Sequence, residues 1–205
     1  MNQVICISRQ VASGGHEIGK QLAGELQIPM YDSEIIAECV KKTGFAKTLI
    51  QNHDERARDS LLYSIVMGCY PHQHVGSAYM EAPGDRVFQA QTEVIREFAE
   101  KGPCVMIGRC AGEILHDNPK CCRVFIYAGM EFRRARAVER YGYDPRKAEH
   151  ILRQKDRERA SYYMHYANCQ WGSRESFDLA VDSSKCGVDG AVKTIIAFAE
   201  SCSGF

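Results

Sequence analysis

The sequence predicts an α/β fold in which helices cover both faces of a five-stranded parallel sheet, as a three-layer α/β/α sandwich. Short apolar runs with the composition of buried strands alternate with longer segments whose apolar residues recur at helical spacing. Strands that alternate with helices favour a parallel sheet with both faces covered. Polar or charged residues directly follow three of the apolar runs, as expected where the carboxyl ends of parallel strands carry ligand-binding loops.

Five short apolar runs are the predicted strands. They lie at residues 4–7, 28–31, 104–107, 123–127 and 177–181. The first run leads into a polar loop with glycines, Asp32 follows the second, and Gly108 and Arg109 follow the third. These three loops are therefore where we expect the chemistry of the protein.

Apolar spacing and capping residues predict the helices. Ile18 and Leu22 share one face of the first helix, and Asp144-Pro145 combines an aspartate cap with a proline in the first turn. The predicted helices cover residues 18–26, 33–44, 56–67, 86–101, 130–141, 144–166 and 188–200. Residues 68–84 are expected to form a loop, for which a metal site formed by Cys69, His72 and His74 is an alternative interpretation.

Composition indicates one domain. The chain has 205 residues and balances 26 basic against 26 acidic side chains, so its formal net charge is zero. This balance provides no overall attraction to nucleic acid or to an anionic membrane, and no apolar run reaches the roughly 18 residues of a membrane span. The ten cysteines form no C-x-x-C pair and no secretory signal is visible, so reduced thiols are expected. We expect a cytoplasmic monomer or homodimer with neither nucleic acid nor a membrane as partner.

The segment between the first strand and the first helix has the layout of a phosphate-binding loop. A strand, a loop with glycines and a helix aim backbone N–H groups and the positive helix end at an anion. Against the nucleotide-binding pattern G-x-x-x-x-G-K-[ST], Gly14 is the second glycine. Arg9 then stands at the first glycine, Gly15 at the lysine and His16 at the hydroxyl that binds Mg²⁺. This pattern predicts a degenerate phosphate-binding loop, with an ordinary strand–helix turn as the alternative.

Other side chains of this segment are candidates for the lost functions. The backbone of residues 13–15 retains N–H groups for a phosphate, and His16 and Lys20, four residues apart on one helix face, are candidate cations. Glu17 lies in the first helical turn, where a carboxylate competes with a phosphate for the positive helix end.

A dinucleotide-binding fold is a competing interpretation. Asp32 ends the second strand, as the ribose-binding acid of that fold does. However, the glycines at positions 14, 15 and 19 do not form the pattern G-x-G-x-x-G, and the loop before Gly14 is longer than the tight turn of that fold.

Arginines provide the second set of candidates. Arg109 directly follows a strand and a glycine, from where its guanidinium can fork onto a phosphate; a surface ion pair is the alternative. Arg153, Arg157 and Arg159 lie on one long polar helix. These arginines either lie on a solvated helix face, where Asp156 is one of their ion-pair partners, or belong to a lid that closes over phosphates.

The motifs together resemble the cytidylate-kinase-like family of P-loop proteins over nearly the whole chain, from about Val4 to Glu200. They are ISRQ at 7–10, SGGHEIG at 13–19, IPMYD at 28–32, IGRCA at 107–111, KDRERASYY at 155–163 and the pair Trp171-Gly172. The resemblance implies a P-loop, nucleoside-monophosphate-kinase-like fold. It also implies one domain over residues 1–205, with an inserted helical lobe at 45–100 that holds the acceptor and a lid at 145–172.

The same resemblance implies a kinase that moves the γ-phosphoryl of ATP to CMP or a similar nucleoside monophosphate. By it, Arg109 contacts the acceptor phosphate, Asp156 and Arg159 belong to the lid, and Asp32 positions the acceptor or a hydrated Mg²⁺. Arg157 and Arg159 would then cover the transition state. The donor nucleotide would lie against Ser13, Gly14, Gly15, His16, Glu17 and Lys20.

Two departures from the family pattern leave alternatives open. The loop lysine and hydroxyl are replaced by Gly15 and His16, and Cys110 stands where an aspartate follows the arginine. These replacements favour, as a second hypothesis, a nucleotide-binding regulatory protein without transfer activity, and they leave Mg²⁺ dependence open. A kinase for a different small metabolite is a third hypothesis.

Overall fold

The structure is a computed structural model that describes residues 3–43 and 83–202. The predicted helix at 56–67, most of the predicted loop at 68–84 and the alternative metal site between Cys69 and His74 lie outside the described residues. None of the helices in residues 3–43 and 83–202 has the length and hydrophobicity of a membrane span.

Five parallel strands form one sheet in the order β2-β3-β1-β4-β5, which confirms the predicted fold class. The strands are β1 Val4–Arg9, β2 Met30–Tyr31, β3 Cys104–Ile107, β4 Cys121–Tyr127 and β5 Leu179–Asp182. In a dinucleotide-binding fold β2 is the neighbour of β1, whereas here β3 lies between them. The strand order therefore excludes that competing interpretation.

The register of the sheet brings two of the predicted loops together. Ile7 of β1 pairs with Ile107 of β3, so the residues that follow these strands leave the sheet side by side. On its other side β1 pairs with β4, and its last residue, Arg9, lies opposite Ile126. The candidate loops after β1 and β3 thus lie next to each other at the carboxyl ends of the parallel strands.

Seven helices and one 3₁₀ turn are described. They are α1 Gly15–Leu26, α2 Ser33–Thr43, α3 Pro83–Glu100, α4 Ala111–Ile114, α5 Met130–Tyr141, α6 Ala148–Ala167, the 3₁₀ turn Arg174–Ser176, and α7 Ser183–Cys202. α7 is interrupted at Gly187, which has φ 67° and ψ −174°. The short α4 has too few residues to show an apolar period, and the sequence did not predict it.

The helix predicted to begin at Asp144 begins at Ala148 instead. The Asp144 carboxylate accepts a hydrogen bond from the Arg146 N–H, and its carbonyl accepts from Lys147 at 2.9 Å and Ala148 at 2.8 Å. Asp144 therefore closes a turn before the helix, a role that aspartate also favours.

The apolar core lies between the sheet and the helices α1 and α7. Its buried side chains from the sheet include Ile5, Ile7, Val105, Ile107, Val124 and Ile126. α1 approaches β3 closely at Gly19, where an added Cβ would lie 2.4 Å from Ile107 Cδ1. This close packing holds the start of α1 near the carboxyl ends of the strands, where the loops emerge.

The chain divides into two compact units, Met1–Tyr31 with Phe98–Phe205, and Asp32–Glu97. The first unit contains the whole sheet. In the second, Ile35 and Cys39 of α2 and Val94 and Ile95 of α3 are buried, and Lys42 pairs with Glu93 and Glu97. The lobe at 45–100 and the lid at 145–172 remain predictions.

Candidate functional site

The loop between β1 and α1 is held in place by its own buried serine. The Ser13 hydroxyl, 1% exposed, is 2.9 Å from the Gln10 carbonyl oxygen and 3.2 Å from that of Ile126. The Ser13 carbonyl in turn accepts a hydrogen bond from the Ser183 hydroxyl at 2.5 Å. The side chain, the carbonyl and the N–H of Ser13, which is 3.4 Å from the Gln10 carbonyl oxygen, are thus used to shape the loop, and the N–H groups that follow Ser13 are left for a ligand.

Gly14 is the residue that opens α1. It has φ 87°, in the left-handed region that favours glycine, and is the N-cap of the helix. The backbone N–H groups that follow it have no acceptor within the helix, because the first turn of any helix lacks them. A loop of this shape therefore presents N–H groups to an anion at the positive end of a 12-residue helix.

The arginine-rich helix α5 places a guanidinium over this glycine. A Cβ built on Gly14 would lie 3.5 Å from Arg136 Nη2 and 4.0 Å from Arg136 Nε. This Nε is buried and has no hydrogen-bond acceptor among the described residues. A buried N–H without an acceptor costs free energy, so the position suits an anionic ligand at Gly14.

The same helix neutralises the carboxylate of Glu17. Arg136 donates to Glu17 at 2.8 Å and Arg140 at 3.2 Å. The predicted competition between Glu17 and a phosphate is therefore offset by two arginines. Arg133, Arg136 and Arg140 recur at helical spacing along one face of α5, so their spacing is the signal in the sequence that marks this part of the site.

The helix α6 holds the loop from the other side through Asp156 and Arg159. Asp156 accepts a hydrogen bond from the Val11 N–H at 2.8 Å and pairs with the buried Arg133, whose guanidinium also donates to the Val11 carbonyl. Arg159 donates to the Arg9 carbonyl at 2.7 Å. Asp156 and Arg159, three residues apart on α6, thus both contact the main chain of the loop.

The loop after β3 has an unusual backbone. Gly108, Arg109 and Cys110 have φ angles of 74°, 58° and 55° in succession. The left-handed region costs a residue with a side chain roughly 1–2 kcal/mol, and such outliers cluster at functional sites. Cys110 is buried, and burial raises the pKa of its thiol, so it adds no negative charge beside Arg109.

The aromatic residues of the family-like motifs pack beside these loops. The Trp171 indole N–H donates to the Ser8 hydroxyl at 2.9 Å and its ring meets that of Phe125 edge-on. Tyr163 donates to Glu113 at 2.8 Å, and burial together with this hydrogen bond raises the pKa of Tyr163. The segment predicted as a lid therefore contacts strands β1 and β4 through Trp171.

The remaining predicted residues lie apart from these contacts. His16 and Lys20 are exposed on α1, and Arg157 is exposed on α6. Lys20 and Arg157 make no hydrogen bond or ion pair with another residue of the described ranges. Asp32 is half-buried directly after β2, and its N–H donates to Glu34 at 3.1 Å.

The loop after β1 lacks the hydroxyl that binds Mg²⁺ in the nucleotide-binding pattern. Mg²⁺ prefers oxygen ligands, and position 16, where the loop pattern has a hydroxyl, carries an imidazole. Residues 3–43 and 83–202 contain no group of three His, Cys, Asp or Glu side chains placed to bind a metal ion.

Three solved structures are similar to this chain in fold. A solved structure of an uncharacterized protein from Eubacterium ventriosum is 28% identical, with a TM-score of 0.70 over 97% of this chain and 99% of that one. A shikimate kinase from Bacteroides thetaiotaomicron is 11% identical, with a TM-score of 0.55 over 98% of this chain and 99% of that chain. A gluconokinase from Sinorhizobium meliloti is 14% identical, with a TM-score of 0.56 over 98% and 95% of the two chains.

The last two likenesses show that this chain shares the fold of a shikimate kinase and a gluconokinase. No curated protein matches the chain. The model of the cytidylate kinase-like family matches residues 4–185, which confirms the predicted resemblance. The chain belongs to the cytidylate kinase-like family.

Proposed function

We propose that the protein is a kinase that transfers the γ-phosphoryl group of ATP to CMP or a similar nucleoside monophosphate. The observation that supports this most directly is Gly14, which opens a helix under the guanidinium of Arg136. Phosphoryl transfer requires positioning and charge neutralisation more than covalent help, and arginines with helix N-terminal amides supply both.

On the donor side, the N–H groups that follow Ser13, at residues 14–15 and the start of α1, would hold the phosphates of ATP. Arg136 adds a charged donor with an unused buried N–H. Glu17 fixes that guanidinium through its ion pair, so its role is to orient Arg136. His16 and Lys20 are exposed and would contribute charge at longer range.

On the acceptor side, Arg109 would bind the phosphate of the nucleoside monophosphate. Its left-handed backbone fixes the direction in which the side chain leaves the end of β3, and a guanidinium can hold a phosphate through two parallel hydrogen bonds. Asp32, which follows β2, is proposed to position the acceptor.

The arginines of α6 have separate proposed roles. Arg159 and Asp156 hold the loop through its main chain, so we propose that they position the donor. Arg157 is exposed on the same helix and would be the residue that reaches the transferred phosphoryl group. Kinase sites usually hold Mg²⁺ through one or two carboxylates and the substrate phosphates, and Asp32 is the carboxylate that would position a hydrated ion here.

The experiment is to measure ADP formation from ATP, with and without Mg²⁺, against a panel of nucleoside monophosphates and hydroxylated metabolites such as shikimate. We expect turnover with one class of nucleoside monophosphate. Arg109→Ala should raise the KM for that acceptor roughly 10- to 100-fold, the loss expected for a charged hydrogen bond. Arg134→Ala is the matched control, since Arg134 is exposed on α5 and pairs with Glu131.

A nucleotide-binding regulator without transfer activity is the second candidate, favoured by Gly15 and His16 in place of the loop lysine and hydroxyl. It predicts that ATP binds, as measured by calorimetry, while no member of the panel gives turnover. If ATP neither binds nor turns over, both functions are wrong for this chain. Turnover with a metabolite but with no monophosphate would favour the third hypothesis.

A further inference from the structure

The loop exchanges two residues relative to the nucleotide-binding pattern G-x-x-x-x-G-K-[ST]. The pattern has glycine at its first position and lysine at its seventh. This chain has Arg9 at the first and Gly15 at the seventh, so the large cationic residue and the glycine have changed places.

The structure gives a steric reason for the exchange. A Cβ built on Gly15 would lie 2.6 Å from Arg9 Cβ and 2.8 Å from Arg9 Cγ. Carbon atoms that are not bonded prefer a separation of about 3.5–4.0 Å. The stem of Arg9 thus occupies the space that any side chain at position 15 would need, and only one of the two positions can carry a cation.

The other end of Arg9 reaches the loop after β3. A Cβ built on Gly108 would lie 1.9 Å from Arg9 Nη1, so the guanidinium rests directly on this glycine. Gly108 precedes Arg109, the proposed acceptor ligand. The side chain of Arg9 therefore runs from the start of α1 to the loop that carries Arg109.

The backbone beneath this side chain is fixed from two directions. Arg9 is the last residue of β1 and pairs with Ile126 of β4. Its carbonyl accepts the hydrogen bond from Arg159 at 2.7 Å. The guanidinium is thus attached to a rigid strand end rather than to the first turn of a helix, where the lysine of the pattern stands.

We propose that Arg9 supplies the positive charge that a lysine at position 15 would supply, and that it binds the phosphates of the donor nucleotide next to Arg109. This inference rests on the proposed function and adds to it a phosphate ligand that the loop pattern does not contain. A guanidinium between the two loops can donate hydrogen bonds to oxygens on both sides of the transferred phosphoryl group, which one ammonium does less well.

The test uses variants that separate the effect of the positive charge at position 9 from the steric effect of a side chain at position 15. Arg9→Met keeps the stem that packs against Gly15 and removes the charge. Arg9→Gly with Gly15→Lys restores glycine at the first and lysine at the seventh position of the pattern, and Gly15→Lys alone places two side chains in one volume. The probes are ATP and inorganic tripolyphosphate, measured by calorimetry, with ADP formation as a second readout and Arg134→Ala as control.

We expect Arg9→Met to stay folded, with a cooperative melting transition, while ATP and tripolyphosphate affinities fall about 10- to 100-fold. Turnover should fall roughly 100-fold or more, as when one charge-stabilising donor is removed. The double variant should regain part of both losses, whereas Gly15→Lys alone should melt at lower temperature and bind worse than the wild type.

Two results would overturn the inference while the proposed function stands. One is an Arg9→Met protein that binds ATP and tripolyphosphate as tightly as the wild type. The other is a folded double variant without any recovery, since a charge at position 15 would then not replace the charge at position 9. If the wild type binds neither probe, the proposed function fails and the inference with it.

Discussion

The loops after β1 and β3 lie side by side at the carboxyl ends of the parallel strands, but different contacts hold them in place. The β1 loop is held by side chains from distant helices: Asp156 and Arg159 of α6, Arg133 of α5 and Ser183 of α7. The β3 loop, which has three left-handed residues, is held by short-range backbone hydrogen bonds: the Gly108 N–H donates to the Ile7 carbonyl at 2.8 Å and the Ala111 N–H donates to the Gly108 carbonyl at 3.1 Å.

This difference suggests how the two loops divide the proposed work. A loop held by many helices keeps its N–H groups in place and responds to changes elsewhere in the unit. A loop held mainly by backbone hydrogen bonds close to it keeps one side chain, Arg109, in one direction and responds mainly to changes at its own and adjacent residues. The predictions below test this contrast by damaging each loop in turn.

The largest effect is expected for Asp156→Ala. This change leaves the Val11 N–H and the buried Arg133 without their shared carboxylate, and removing one partner of a buried ion pair costs about 3–5 kcal/mol. Urea unfolding should show this loss of unfolding free energy. Glu149→Ala, which removes an exposed ion pair with Arg153 on the same helix, is the control and should cost less than about 1 kcal/mol.

The next effect concerns the contact between α1 and β3, which supports both loops. Gly19→Ala places a Cβ 2.4 Å from Ile107 Cδ1 and should destabilise by about 1–3 kcal/mol, measured by thermal unfolding. Gly24→Ala on the same helix has nothing within 4 Å and should stabilise by roughly 0.5–1 kcal/mol. Equal effects of the two changes would contradict the close packing at Gly19.

Damage to the β3 loop should affect binding more than stability. Gly108→Ala puts a side chain at φ 74°, which costs roughly 1–2 kcal/mol, and displaces the guanidinium of Arg9. We expect a modest fall in melting temperature with a larger loss of acceptor-dependent ADP formation. Gly129→Ala, with open space around it, is the control, and a loss of stability alone in Gly108→Ala would argue against a functional β3 loop.

The smallest effect is expected for Ser183→Ala. Its hydroxyl lies 2.5 Å from the Ser13 carbonyl oxygen and 3.1 Å from that of Tyr127, and a typical net contribution of one hydrogen bond is about 1 kcal/mol. Chemical unfolding should detect this loss, with Thr194→Ala on the exposed side of α7 as control. A change of ATP affinity without a change of stability would show that Ser183 acts on the loop in the bound state.

Much of the fold follows from local pattern. The five strands and most helices were predicted within a few residues, because apolar periodicity and capping depend on neighbours in the chain. The misplaced start of α6 shows the limit of such signals, since Asp144 suits a helix cap and a turn equally well. The glycine loop and Arg109 were also visible, because each directly follows an apolar strand.

The partners of these residues depend on the tertiary structure. Asp156 contacts Val11, which is 145 residues away in the sequence, and Arg159 contacts Arg9, which is 150 residues away. Arg136 covers Gly14 from a helix whose arginine spacing was visible but whose neighbour was not. Such contacts depend on the strand order and on how helices pack against the sheet, which no local window contains.

By itself, the sequence determined an α/β chain with a glycine loop at the end of its first strand and an arginine at the end of its third. Only the tertiary structure decided that the side chain of Arg9 occupies the space at Gly15 and ends on Gly108. The physical reason is that steric exclusion acts between atoms that the fold brings within a few ångströms, whatever their separation along the chain.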